Sequence, residues 1–85
     1  MPEKKSKEVG IITHYYDHLG VAVVKIKGTL KIGDKIRIKG ATTDFVQQVK
    51  SMQIEHKKIE KVEKGKEIGL KVEGIVREHD LLYKE

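Results

Sequence analysis

The sequence predicts an all-β fold, a small closed antiparallel β-barrel of six to seven strands, on three observations. Of its 85 residues 38% are hydrophobic, and these are mainly Val, Ile and Leu rather than aromatics, which suits strands packed into one compact barrel. Apolar and charged residues alternate along short runs, most plainly in Lys35-Ile36-Arg37-Ile38-Lys39, where the isoleucines fall on one side and the cations on the other. Turn residues, glycine above all, separate these runs. A domain of this length buries only about 60 to 65% of its unfolded surface, so the core is small.

Residues 1–7, MPEKKSK, are charged, hold the only proline and lack apolar periodicity, so they read as a mobile tail and the barrel is expected over residues 8–85. Val9 to Tyr16 is rich in β-branched and aromatic residues and reads as a strand. Asp17-His18-Leu19-Gly20 supplies a turn, and Val21 to Ile26 completes a first hairpin. Gly28 breaks that strand, Leu30 and Ile32 continue the alternation, and Gly33-Asp34 reverses the chain before Lys35 to Lys39. After a loop at Gly40 to Asp44, Phe45 to Glu55 reads as one long strand. Its apolar parity shifts between Val49 and the Met52, Ile54 pair, which predicts a bulge near Lys50 and Ser51.

His56 to Lys64 carries only Ile59 and Val62 at helical spacing, too few to nucleate a helix, so it reads as an irregular loop with room for one helical turn. Glu67 to Val72 puts Ile68, Leu70 and Val72 on one face of a strand, and a short final strand is expected over Leu81 to Tyr83. No internal repeat or low-complexity segment is visible.

Charge and composition narrow the function classes. Lys and Arg number 18 against 13 Asp and Glu, a formal charge of +5, which favours acidic surfaces such as RNA through long-range attraction. Only Arg37 and Arg77 are arginines, so most of this charge is lysine, a point charge without the bidentate fork of specific readout. The absence of cysteine excludes disulfides, thiolate zinc sites and cysteine nucleophiles, and a cytoplasmic setting fits it. No apolar run approaches the ~20 residues of a membrane helix, so no membrane partner is expected.

Four segments carry a family resemblance: Gly20-Val21-Ala22-Val23-Val24, Gly28 to Ile36, Val49-Lys50-Ser51-Met52 and Lys64 to Leu70. In order and spacing they resemble the second-domain β-barrel of the translation GTPases, such as elongation factor Tu, and small standalone elongation-factor-like proteins. The resemblance implies a translation-related binding module whose partners are rRNA, tRNA or the ribosome. The family has a glycine between its Glu78-like and Asp80-like positions, where this chain has His79. The phosphate-cradling GxxxxGK[ST] motif is absent, so GTP hydrolysis is not expected. The alternative is a protein interaction module docking on a larger enzyme or factor, since such barrels are also similar to C-terminal accessory domains of some peptidase families.

The candidate RNA contacts are Lys35, Arg37 and Lys39, joined by Lys25 and Lys27 on what reads as the neighbouring strand. Alternate strand residues lie ~7 Å apart, comparable to phosphate spacing along a nucleic acid strand. Lysine on an exposed strand also blocks edge pairing, which is the competing role. Of the consecutive Tyr15 and Tyr16, one is expected to point inward and one outward, and Phe45 to anchor the core. His14 and His18 fall across one turn, yet zinc needs three or four ligands, so neither a metal nor a cofactor is expected. Asp17-His18 and His79-Asp80 have no serine partner placed beside them, and no catalysis is expected.

Overall fold

The computed structural model describes residues 7–85. The expected tail therefore lies, up to residue 6, outside the described residues. The strands, in chain order, are β1 (Lys7–Tyr16), β2 (Val21–Ile26), β3 (Leu30–Lys31), β4 (Lys35–Lys39), β5 (Asp44–Gln48), β6 (Met52–Ile54), β7 (Lys57–Ile59), β8 (Lys61–Val62), β9 (Glu67–Lys71) and β10 (Leu81–Lys84). Eight of them form one antiparallel sheet in the order β5-β4-β10-β1-β2-β9-β6-β7, and β3 pairs with β8 alone. Among the described residues there is no helix, and hence none long and apolar enough to cross a membrane.

Alternation builds the core. Ala22, Val24 and Ile26 of β2, Ile36 and Ile38 of β4, Ile68 and Leu70 of β9 and Leu82 of β10 are all buried in one cluster. Those of β2, β4 and β9 fall at every second position, so the residues between them, charged in β4 and mixed in β2 and β9, are turned outward. Tyr15 and Phe45 pack against this cluster while Tyr16 is exposed.

The expected closed barrel of six to seven strands is corrected to an eight-stranded half-barrel with an additional two-stranded sheet, because β5 and β7 remain edges and no ladder joins them. Curling is nonetheless enforced by Gln47, an inward residue of β5 that is buried despite being polar. Its Nε2 donates to the Lys71 carbonyl at 3.0 Å and its Oε1 accepts from the Glu73 N–H at 2.8 Å. Four strands lie between β5 and β9 in the sheet, so this side chain reaches the chain leaving β9 only if the sheet bends back on itself.

The long strand expected over Phe45 to Glu55 is two strands. β5 pairs with β4, whereas β6 pairs with β9 and β7. Between them Val49 N–H donates to the Asp34 carbonyl at 2.8 Å, and the Ser51 carbonyl accepts from Lys71 N–H at 3.1 Å. The interruption near Lys50 and Ser51 is thus a change of partner instead of a bulge within one ladder. Register shifts occur in β1 instead, between Glu8 and Gly10 and between Ile12 and His14.

The irregular loop with a helical turn expected over His56 to Lys64 is replaced by β7 and β8. Ile54 pairs with Lys57 across a turn of Glu55 and His56, whose φ angles are 51° and 69°. Positive φ at both central residues defines the tight hairpin whose twist matches the flanking strands. Lys61 and Val62 then pair with Lys31 and Leu30, which leaves no span for a helix.

Candidate functional site

Lys25, Lys27, Lys35 and Lys39 are exposed and Arg37 is half-exposed, all directed away from the core. They do not form the patch of neighbouring strands expected from the sequence. β10 and β1 separate β4 from β2, three strand spacings or about 14 Å along the sheet. The cause is the last strand, which inserts between early ones: Lys84 stands opposite Lys7 on β1, and Leu82 stands opposite Ile38 on β4.

Two of these five cations are already engaged. Arg37 donates from Nε to Asp44 Oδ1 at 2.8 Å and from its terminal nitrogen to Asp44 Oδ2 at 3.0 Å, the paired fork geometry that makes guanidinium and carboxylate a strong match. The hydrogen bond from Arg37, then its charge and that of Lys39, hold the Asp44 carboxyl below its ordinary value, and Asp44 raises Arg37 in turn. Lys27 Nζ donates to Glu8 Oε2 at 2.9 Å. Lys25, Lys35 and Lys39 have no carboxylate in ion-pair range among the described residues.

A second feature was not legible in the sequence. A groove of about 640 Å³ opens between the end of β3 and the β6 to β8 segment, and its lining joins Ile32 and Ile59 with Lys31, Lys50, Lys58 and Lys61. Ile32 is 39% exposed although large and apolar. The turn at Glu55 and His56 folds β7 back on β6, and the β3–β8 ladder sets Lys31 directly opposite Lys61. Lys50 meets Glu73 at 3.0 Å and Lys61 lies 4.0 Å from Glu63. Lys31 and Lys58 have no ion-pair partner among the described residues. The only available signal was the lysine density of residues 57–61, which equally marks a solvated loop.

His14 Nδ1 lies 3.4 Å from Glu78 Oε2, and its ring centroid is 4.4 Å from that of Tyr16. His18 Nε2 lies 3.7 Å from Asp17 Oδ1 in the exposed turn. Among the described residues no group of three or more His, Cys, Asp or Glu side chains could hold a metal ion.

Fold and surfaces together define an all-β domain with two lysine-bearing faces. No family model matches it. The chain is 44% identical over 77 residues to an uncharacterized protease of Methanocaldococcus jannaschii, a match spanning 89% of this chain and 19% of that protein. It is 38% identical over 68 residues to elongation factor 1-alpha of Desulfurococcus mucosus, spanning 75% of this chain and 15% of the factor. The chain therefore spans less than a fifth of the length of these relatives. Its fold matches the crystal structure of the C-terminal domain of a Geobacillus thermoleovorans protein described as a U32 peptidase, with a TM-score of 0.86 over 100% of this chain and 98% of that domain. The selenomethionine variant of that domain gives 0.88 over 92% and 99%. Identity to both is 17%, so the likeness is one of fold.

These findings correct the reading as a translation-factor second domain. Two solved structures that match over 92% or more of this chain are of one peptidase C-terminal domain, and of the two relatives above the one of higher identity is a protease. RNA, tRNA and the ribosome lose their support as partners with it. The motifs misled for a physical reason: Gly20, Gly33 and Gly65 take φ of 67°, 94° and 95°, so they answer to tight turns that any chain of this shape must make. Such residues report the fold and carry no information about the partner.

Proposed function

We propose that this chain is a non-catalytic accessory domain of a peptidase-like protein, acting by docking against the larger body of that protein. One observation carries the reading: 77 of its residues align at 44% identity with a segment making up 19% of a protease. A segment that small within a large enzyme is one module among others. The fold of the peptidase C-terminal domain supports the same position in the whole. Lys25, Lys35 and Lys39, with Lys27 and Arg37 held by carboxylates, lie on or beside strands already paired on both sides and serve in this reading to keep the outer face of the sheet solvated.

The test is affinity purification of the tagged chain from its source cells after nuclease treatment. The expected result is recovery of a larger peptidase-like protein in fixed proportion, identified by mass spectrometry. Recovery only with ribosomal particles, or loss of every partner on nuclease treatment, would overturn the proposal.

A further inference from the structure

We infer that the groove between β3 and the β6 to β8 segment receives an acidic segment of the larger protein, with an aliphatic side chain seated against Ile32 and Ile59. This rests on the accessory-domain reading and names the surface through which docking occurs. The groove's size, about 640 Å³, falls within the range that holds a compact ligand or a few side chains.

Charge complementarity selects the occupant. The lining contains Lys31, Lys50, Lys58 and Lys61 with Glu60 as its one carboxylate. Lys31 and Lys61 stand directly opposite each other in a ladder of only two residue pairs, where like charges oppose pairing. Glu63, 4.0 Å from Lys61, offsets part of this repulsion, and carboxylates placed between the two lysines relieve the rest. The apolar part selects a protein over a nucleic acid. The lining has isoleucines and no aromatic ring on which a base could stack, and no arginine. An aliphatic anchor ringed by charge pairs is instead the usual anatomy of a protein contact.

The probe is a fluorescein-labelled hexapeptide of five acidic residues around one leucine, titrated with the full chain by fluorescence polarisation. Binding is expected to weaken at least about 10-fold when Lys31→Glu and Lys58→Glu are combined, and about 5-fold with Ile32→Ser. Lys58→Gln alone should weaken it about 2-fold, which covers the case in which the double variant fails to fold. Lys25→Glu and Lys39→Glu, on the outer face of the large sheet, should leave it unchanged.

Equal binding of an all-acidic hexapeptide, equal loss from the outer-face variants, or a uridine octanucleotide that binds as tightly and is lost with the same lysines would each overturn the assignment. The two proposals separate in the purification experiment. If the groove variants still recover the larger protein, the accessory reading stands and the groove assignment falls. If the wild-type chain binds the peptide yet recovers no peptidase-like protein, the accessory reading falls instead.

Discussion

At the scale of single residues, one turn is used twice with different chemistry. Asp34 N–H donates to the Lys31 carbonyl at 3.1 Å while Lys31 N–H donates to Asp34 Oδ2 at 3.0 Å. Asp80 repeats this on Arg77, at 3.2 Å and 2.8 Å. The third residue has positive φ in both, 94° at Gly33 and 76° at His79. In such turns that position favours glycine, since a Cβ there crowds the following carbonyl. His79→Gly should therefore stabilise by about 0.5 to 1 kcal/mol, the relief of backbone strain being partly offset by a more flexible unfolded chain. In a domain of this size that raises Tm by about 2 to 8 °C in a thermal melt followed by circular dichroism. An unchanged or lower Tm would show that the imidazole contributes more than its backbone costs.

At the scale of elements, the hairpin of β6 and β7 sets what can be read from sequence. Glu55 and His56 hold positive φ without the Asn-Gly chemistry that such turns favour. Combining Glu55→Asn with His56→Gly should raise the urea midpoint, by about 1 kcal/mol of stability, with an unchanged m value. A fall in midpoint would mean that the native pair is held by contacts outside the turn. The same pair explains what was legible. β2, β4 and β9 carry buried apolar residues at every second position, so alternation alone marks them and the inward faces follow. β7 and β8 expose Lys57, Lys58 and Lys61 and have no glycine or asparagine between them and β6, so neither periodicity nor turn chemistry marks their strands. The groove they build was hidden with them.

At the scale of the whole molecule, pairing between distant segments decides the architecture. The position of β10 between β1 and β4 dispersed the five cations, and no local pattern encodes such an insertion. Gln47 is the side chain that fastens the curl, because the two ends of its amide bond to backbone at the last residue of β9 and just past it. Gln47→Leu keeps a similar volume but leaves the Lys71 carbonyl and Glu73 N–H without that partner. The expected cost is about 2 to 4 kcal/mol by urea denaturation, a large share of the marginal stability of a small domain. A loss under about 0.5 kcal/mol would show that water replaces the amide without penalty.

The pairing of Lys7 with Lys84 has a different kind of consequence. The points where the chain enters and leaves the sheet are adjacent, about 5 Å apart across one ladder. A unit with its two ends side by side can be spliced into a surface loop of a host enzyme as a plug-in. Its ends can equally be joined by a short linker and the chain reopened at Glu55 and His56. Neither rearrangement cuts a strand of the sheet, because Lys7 and Lys84 are ladder partners and Glu55 and His56 lie between β6 and β7.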